Sequence, residues 1–392
     1  MTDVLLPHYG AGTLSDVVPS LLTALGSTPD SATHAPPVFA LPPVRAAALL
    51  LIDGLGRELL TAHAADAPTL SAMVDAGPLT VGFPSTTPIS LTSLGTGLVP
   101  GAHGTLGLRF RVEGHLLDAL GWSEGRSDLR EKLAPERIQA EPTLFERAAA
   151  AGVEVVTVSG MEFRRSGLTR SGLRGGEYRG VAAAGDLAAE MLSALEGHRP
   201  ERTRSAHRSG PRLVYGYHPD LDKLGHLYGP GSPAWRWQLR LLDHLVTMMI
   251  EQLPPGTLLT VTGDHGMVEV TDRHDADDDD RLTDGVALIG GDPRARHVYT
   301  HPGAEADVLA AWRAVLGDDA TVCSGDEAVE RGWFGTVDPR MRDRVGDVVA
   351  AMHGGAVVIR PDAEPFLSTF PGQHGSLTSS EQLVPLLVCS RD

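Results

Sequence analysis

Six acidic and imidazole side chains stand in short, separate clusters along the chain, each beside a glycine or an apolar residue. They are Asp53, Asp222, His226, Asp264, His265 and His374. Carboxylate oxygens and imidazole nitrogens are common ligands of divalent metal ions in proteins. The six residues therefore predict a centre that holds two metal ions and polarises a substrate between them.

A hydroxyl-rich segment, FPSTTPISLTSLGTGLVPGAHG at residues 83–104, offers a nucleophile for that centre. It is typical of a turn followed by a helix, and the first N–H groups of a helix can hold an anion. A hydroxyl needs activation before it attacks, here by direct coordination to metal. Thr87 is the predicted nucleophile and metal ligand, but composition alone does not separate it from Ser85 and Thr86.

Each ligand cluster also has an ordinary structural explanation. An aspartate that follows a buried strand, such as Asp53, can simply cap the next helix or turn. Asp222 and His226 are four residues apart and share one face of a helical turn whether or not they bind metal. Asp264 and His265, flanked by glycines, are a more specific signal. Together with the hydroxyl-rich turn, the clusters favour phosphoryl transfer on two metal ions.

Short apolar runs that lead into these clusters predict the strands of a buried sheet. The runs are 46–52, 153–158, 213–217 and 257–262. Open α/β sheets place their ligands at the carboxyl ends of the strands, which is where Asp53 and Asp264 stand. An amphipathic pattern at 235–249, with apolar residues three and four apart, predicts a helix that covers the sheet. The chain therefore predicts an α/β fold with a mostly parallel central sheet between helices.

The pattern changes at residues 286–339, where a strand-like VALIGG is followed by GDPRARHVYTH and a helical stretch. Because this segment falls between ligand clusters, we predict a small inserted α+β lid or cap there. Residues 1–285 and 340–392 would form the catalytic core. Arg294 and Arg296 of the cap are candidates for substrate binding, since guanidinium groups grip phosphate. A salt-bridged surface explains the two arginines equally well.

The charge and composition of the chain indicate which kinds of partner it can bind. The formal net charge of −17 over 392 residues argues against a nucleic acid polymer or an anionic membrane, which both reward basic surfaces. No stretch approaches the ~20 apolar residues of a membrane span, and the N-terminus lacks a basic region followed by an apolar run. Cys323 and Cys389 are too few for a disulfide framework. We expect a cytoplasmic protein that acts on a small phosphate ester or nucleotide.

Five motifs carry a family resemblance. In chain order they are IDGLG, FPSTT…TGLVPGAHG, DKLGH, GDHGM and QHG, spanning Asp53 to His374. Together they resemble the alkaline phosphatase superfamily, and within it the type I phosphodiesterase/nucleotide pyrophosphatase family. The resemblance implies an alkaline phosphatase-like three-layer sandwich with a mostly parallel sheet. It also implies two divalent metal ions, most simply zinc, with manganese or iron as alternatives.

The same resemblance distributes the ligands over two metal sites. One set is Asp53, Asp264, His265 and the nucleophile, and the other is Asp222, His226 and His374. The nucleophile falls on Thr87, because the family's reactive residue lies nine positions before the threonine of its TG motif, here Thr96.

One position departs from the family pattern. Leu108 stands where many members carry an asparagine that hydrogen-bonds the phosphate. A backbone N–H group, Arg109 or a cap residue would have to stabilise the developing charge instead.

The predicted function is hydrolysis of phosphodiester or phosphoanhydride bonds in small molecules, through a phosphothreonine intermediate on two metal ions. A phosphonate (carbon–phosphorus) hydrolase or a phosphomonoesterase of the same superfamily is the alternative, since the same ligands serve each reaction. A catalytically silent metal- or nucleotide-binding module is a more distant alternative, and Leu108 is the feature that favours it.

Overall fold

A computed structural model of the chain describes residues 4–27, 37–198 and 210–391. Its strands, in chain order, are β1 (Ala46–Ile52), β2 (Val74–Asp75), β3 (Leu79–Thr80), β4 (Arg109–Val112), β5 (His115–Asp118), β6 (Ser123–Glu124), β7 (Ser127–Asp128), β8 (Glu154–Gly160), β9 (Glu177–Val181), β10 (Arg212–His218), β11 (Thr257–Thr262), β12 (Val268–Glu269), β13 (Asp272–Asp275), β14 (Val286–Asp292), β15 (Ala295–Thr300), β16 (Ala320–Ser324), β17 (Val348–Met352), β18 (Ala356–Ile359), β19 (Gly372–Gln373), β20 (Leu383–Val384) and β21 (Leu386–Arg391).

The α-helices, in the same order, are α1 (Val17–Ala24), α2 (Arg57–Ala62), α3 (Pro68–Ala72), α4 (Thr87–Thr96), α5 (Pro100–His103), α6 (Pro135–Ile138), α7 (Leu144–Ala150), α8 (Gly167–Gly172), α9 (Ala184–Glu196), α10 (Asp220–Tyr228), α11 (Pro233–Glu251), α12 (Glu305–Leu316), α13 (Gly325–Glu330) and α14 (Ser379–Gln382). Among the described residues, none of the helices is both long enough and apolar enough to cross a membrane.

The central sheet has seven strands in the order β2-β21-β11-β1-β10-β8-β9. The strands from β11 to β9 run parallel to one another, whereas β21 is antiparallel to both β11 and β2. The predicted strands 46–52 and 257–262 are confirmed at both ends. An apolar run is readily identified as a strand here because β1 is buried along its whole length.

Helices cover both faces of this sheet, so the predicted three-layer α/β architecture is confirmed. Alternate residues of β1 enter two separate apolar cores. On one face Leu50 and Ile52 join residues of α9 and α11. On the other face Leu49 and Leu51 join residues of α1, α4 and α7. The amphipathic helix predicted around 235–249 is α11, and its apolar stripe is core as expected.

A second, four-stranded antiparallel sheet has the order β14-β15-β17-β16 and its own apolar core around Trp312 of α12. Three of its strands, β14, β15 and β16, lie within the segment 286–339 that we predict to be a cap, whereas β17 lies at 348–352. The apolar run at 348–352 resembles a core strand because it is buried on both faces. We therefore extend the proposed cap to residue 352.

Candidate metal centre and active site

The carboxyl ends of neighbouring parallel strands bring the predicted ligands together. Asp53 follows β1 and Asp264 follows β11, while Asp222 lies in α10, just after β10. Because β1 lies between β10 and β11, Asp222 and Asp264 lie on either side of Asp53. Two groups result, in each of which all ligand atoms lie within 4.8 Å of one another. The groups are Asp53, Asp264 and His265, and Asp222, His226 and His374.

All three imidazoles hold Nδ1 against a backbone carbonyl oxygen. The pairs are His226 with Gly372 at 2.8 Å, His374 with Ser85 at 2.8 Å, and His265 with Gly266 at 2.9 Å. A carbonyl oxygen can only accept, so each Nδ1 carries the proton and donates it. Each Nε2 therefore keeps its lone pair, which is the tautomer that a metal-binding histidine needs.

Each of the three carboxylates has one buried oxygen that accepts no hydrogen bond from any residue in the described ranges. These atoms are Oδ1 of Asp53, Oδ1 of Asp222 and Oδ2 of Asp264. The other oxygen of Asp53 accepts from the hydroxyl of Tyr217, and that of Asp264 from the Gly54 amide at 3.0 Å. Buried acceptors without partners are rare in folded proteins. Together with the three Nε2 atoms, they form an oxygen and nitrogen donor set that fits two divalent cations.

The electrostatics of the centre favour a bound cation. Burial and the carboxylates of Asp264 and Asp222 raise the pKa of Asp53 well above its ordinary value. Burial and the imidazoles of His265 and His226 lower the pKa of His374 well below its ordinary value. A positive ion among these groups would relieve the repulsion between the carboxylates and accept the lone pairs of the three Nε2 atoms.

Thr87 is the hydroxyl residue of its turn that faces this centre. It is the first residue of α4, and its Oγ1 lies 3.2 Å from Nε2 of His265. Ser85 instead donates to the backbone of Ser376 at 2.9 Å. Thr86 donates to Oδ1 of Asp292 at 3.1 Å. The structure thus separates the three hydroxyls that composition left equivalent.

Asp292, at the end of β14, connects the cap sheet to the nucleophile turn. Its Oδ1 accepts from Thr86, and its Oδ2 accepts from the backbone N–H of Leu108 at 3.4 Å. Burial raises the pKa of Asp292 to about 7, although both hydrogen bonds act to lower it. Leu108 occupies the position of the family asparagine, so a cap carboxyl group contacts the backbone there.

A cavity of about 280 Å³ opens beside Thr87 and runs between the sheet and the helices α4 and α8. We call it the side cavity. Its lining is mainly aromatic, aliphatic and hydroxyl side chains, and Lys223 is the one basic residue among the described residues that line it. The lining residues are Asp53, Thr87, Leu91, Leu120, Thr157, Ser159, Phe163, Ser166, Leu168, Thr169, Leu173, Tyr178, Tyr215, Tyr217, Pro219, Asp222 and Lys223.

The three arginines that we predict to contact substrate have acidic partners within the protein. Arg294 donates to both carboxylate oxygens of Glu381 at 3.0 and 2.7 Å, and both side chains are 0% exposed. Arg296 makes the same two-bond contact with Glu364 at 3.0 and 2.8 Å.

Arg109 contacts Glu364 as well, at 2.7 Å, and also Asp118. Acidic partners therefore engage these guanidinium groups, which do not line the side cavity. Arg294 and Arg296 form salt bridges, but these are buried and not on a surface. A contact of these arginines with substrate remains a prediction.

The sequence reasoning missed several residues around the site. Tyr217 supports Asp53, Asp292 holds Thr86, and Thr157 and Tyr215 line the side cavity. Period-two alternation along β10 could have placed Tyr215 and Tyr217 on one face, but it does not identify their partners. Residues 161–180, which follow β8 and contain several arginines, also line the cavity, through Phe163 and other uncharged side chains.

Comparison with known sequences gives a family match across most of the chain. Residues 47–377 match the profile described as type I phosphodiesterase / nucleotide pyrophosphatase. A curated relative, the human GPI ethanolamine phosphate transferase 3 catalytic subunit, is 35% identical over 82 residues, or 21% of this chain and 7% of that protein. The Schizosaccharomyces pombe GPI ethanolamine phosphate transferase 3 is 34% identical over 135 residues, or 34% of this chain and 14% of that protein. The chain thus matches only a small part of these longer relatives.

Solved structures share the fold over nearly the whole chain. Murine ectonucleotide pyrophosphatase/phosphodiesterase 5 has a TM-score of 0.65 and 18% identity, with 88% of each chain covered. Its inactive variant in complex with AMP has a TM-score of 0.66 and 17% identity, covering 88% of this chain and 87% of that one. Phosphonoacetate hydrolase from Sinorhizobium meliloti, in complex with phosphonoformate, has a TM-score of 0.63 and 21% identity, covering 90% of this chain and 91% of that one.

Proposed function

The chain belongs to the type I phosphodiesterase/nucleotide pyrophosphatase family of the alkaline phosphatase superfamily, and on that premise we propose that it hydrolyses small phosphodiesters or phosphoanhydrides with Thr87 as nucleophile. This family consists of metal-dependent hydrolases that act on phosphoester bonds. The observation that carries the proposal is the position of Thr87. Its hydroxyl lies 3.2 Å from Nε2 of His265, and the same residue borders the side cavity.

The two groups of ligands would each hold one divalent ion, with Thr87 adjoining the first group. The mixed carboxylate and imidazole donors support zinc, and manganese or iron suits them as well. When bound, the ions would supply an activated hydroxyl at Thr87 and neutralise charge on the phosphoryl oxygens.

Thr87 would attack phosphorus in line with the departing group. A bond forms between Oγ1 and phosphorus while the bond from phosphorus to the leaving oxygen breaks, and the leaving oxygen keeps the electron pair. The proton that the Thr87 hydroxyl gives up balances the one that the departing alcohol or phosphate takes up. Water then attacks the phosphothreonine, which returns the Thr87 hydroxyl and releases the second product. The start of α4 fixes Oγ1 throughout, because α4 is buried along its whole length.

The side cavity supports a diester or anhydride over a simple monoester. A space of about 280 Å³ next to the nucleophile would receive an organic group attached to the phosphate. A second candidate function rests on Lys223, whose ammonium group at this cavity could pair with a substrate carboxylate. That contact would suit a carbon–phosphorus hydrolase acting on a phosphonocarboxylate.

Hydrolysis assays on the zinc-loaded protein test the proposal. Bis(4-nitrophenyl) phosphate should turn over faster than 4-nitrophenyl phosphate or phosphonoacetate. Replacing the nucleophile, Thr87→Ala, should lower kcat by at least about a thousandfold, while elemental analysis still finds the metal. Thr87→Ser, which keeps a hydroxyl, should retain part of the activity.

The outcomes separate the alternatives. Faster release of phosphate from phosphonoacetate would replace the proposal with the second candidate. Undiminished hydrolysis by the Thr87→Ala variant would remove Thr87 as nucleophile. Metal binding without turnover of any of the three compounds would favour a catalytically silent module.

A further inference from the structure

Two buried hydroxyl groups line the side cavity without satisfying their hydrogen bonds. Thr157 lies on β8 and Tyr215 on β10, and the two residues are paired side by side on these neighbouring parallel strands. Their side chains are buried, with residue exposures of 2% and 1%. Within the described part of the chain, neither Thr157 Oγ1 nor the Tyr215 hydroxyl has a hydrogen-bond partner.

A buried hydroxyl without a partner destabilises the folded protein relative to an apolar side chain of the same shape. Valine and phenylalanine would fill these two positions with the same volume and would not carry that penalty. Both positions line a cavity that reaches the nucleophile, so the missing partner can come from a molecule bound there. The other hydroxyl side chains around the cavity add to its polar lining without adding charge.

The charge of the lining limits what that molecule can be. Asp53 and Asp222 lie at the metal end of the cavity, and Lys223 is the sole basic lining residue among those described. The other lining residues, among them Leu91 and Leu168, are uncharged. An anionic group placed against these residues and away from Lys223 would lose its hydration without gaining a counter-ion.

We infer that Thr157 and Tyr215 form a specificity site that recognises a part of the substrate's organic group that is uncharged and accepts hydrogen bonds. The inference rests on the proposed function, since it assumes that the phosphate lies beside Thr87. Burial, together with the carboxylates of Asp264 and Asp53, raises the pKa of Tyr215 well above its ordinary value, so the hydroxyl keeps its proton for donation. The aliphatic and aromatic walls would enclose the body of the group, and the two hydroxyls would select its polar part.

Arylphosphonates test this inference without any turnover, because their carbon–phosphorus bond is inert to ester hydrolysis. Phenylphosphonate, 4-acetamidophenylphosphonate and 4-carboxyphenylphosphonate would be titrated into the zinc-loaded protein by calorimetry. They share the anionic phosphonate group and differ only at the opposite end of the ring. Phenylphosphonate has no substituent there, the acetamido compound has a neutral group that accepts hydrogen bonds, and the carboxy compound has an anionic group. The measured quantity is the ratio of their dissociation constants.

The wild-type protein should bind the acetamido compound roughly tenfold more tightly than phenylphosphonate, as two net hydrogen bonds would give. It should bind the carboxy compound more weakly than either. Tyr215→Phe and Thr157→Val each remove one of the two hydrogen bonds and should each lower the acetamido preference to roughly threefold.

Thr260→Val is the matched control, because Thr260 Oγ1 is also buried without a partner among the described residues but does not line this cavity. That variant should keep the wild-type preference. A preference that is the same in all four proteins, or tightest binding of the carboxy compound, would overturn the inference.

Thermal unfolding of the ligand-free variants gives an independent reading. Tyr215→Phe should melt at the wild-type temperature or above it, because no protein hydrogen bond is lost. A fall of several degrees would mean that the hydroxyl has a partner in the free protein, and the inference would fail. If the wild-type protein does not hydrolyse bis(4-nitrophenyl) phosphate, that result contradicts the proposed function alone, because the selectivity among phosphonates is measured by binding.

Discussion

Nε2 of His226 lies 3.1 Å from Nε2 of His374, while Nδ1 of each ring donates to a backbone carbonyl. Neither Nε2 has a proton to offer the other, because both protons are used on the opposite side of the ring. Two lone pairs therefore face each other inside a buried site. A cation that both nitrogens coordinate turns this repulsion into attraction.

Metal should consequently stabilise the fold. We expect zinc to raise the melting temperature of the chelator-treated protein, by mass action on the native state. His226→Ala and His374→Ala should each reduce that rise. His244→Ala, at an exposed position of α11, is the control and should respond as the wild type does. A melting temperature that zinc leaves unchanged would contradict a metal site here.

Tyr217→Phe should weaken metal binding while preserving the fold. The variant removes the hydroxyl that donates to Asp53 and so releases that carboxylate from its position. Loss of a group that hydrogen-bonds a metal ligand, as the Tyr217 hydroxyl does here, typically lowers metal affinity by about 10- to 100-fold. Competition with a chromogenic chelator would measure the affinity. Tyr299→Phe, which removes the hydroxyl of a buried tyrosine in the cap, should leave the metal affinity unchanged.

Arg294→Met should destabilise the protein without acting on substrate affinity. It would leave Glu381 buried without its guanidinium partner, and breaking a buried ion pair costs about 3–5 kcal/mol. Urea unfolding measures the loss. The double variant Arg294→Met/Glu381→Leu should recover part of it, since both charges are then removed. An unchanged unfolding free energy together with a raised KM would restore Arg294 as a substrate ligand.

His103 should make stability fall on acidification. Its ring is 1% exposed, its Nδ1 accepts from the Thr105 amide at 3.1 Å, and its Nε2 lies 3.0 Å from Ser93 Oγ. Burial, with the positive charge of Arg344, lowers the pKa of His103 from 6.5 to about 3. Between these two values the unfolded chain binds a proton that the folded protein does not bind.

The unfolding free energy should therefore fall as the pH drops from 6.5 towards 3, with a slope of up to about 1.4 kcal/mol per pH unit from this one residue. Above pH 6.5 its contribution is constant. Urea unfolding of wild type and His103→Gln between pH 7.5 and 5 gives the difference in slope. Parallel curves for the two proteins would rule out His103 as the source.

Four strands of the central sheet and the six candidate ligands could be identified from the sequence. A strand buried on both faces has to be a continuous apolar run, so β1 and β11 could be bounded to the residue. The carboxyl ends of such strands meet at one edge of the sheet, which is where Asp53 and Asp264 were expected. Their assignment to one group of ligands came from the family resemblance, and the structure brings the two residues together.

The partners of polar side chains could not be predicted in the same way. Tyr217 and Asp53 are 164 positions apart, and Arg294 and Glu381 are 87 apart. A guanidinium group has the same appearance in the sequence whether it meets phosphate or a buried carboxylate. The outcome depends on which distant segment packs against it, so the acidic partners of Arg294 and Arg296 became visible only in the structure.

The hydrogen bond from Thr86 to Asp292 can form only late in translation. It joins residues 206 positions apart, so the turn that carries Thr87 is synthesised long before Asp292. His374 emerges later still. A nascent or prematurely terminated polypeptide that ends before these residues would carry Thr87 without a finished centre around it. Hydrolytic competence should therefore begin only after His374 has been synthesised.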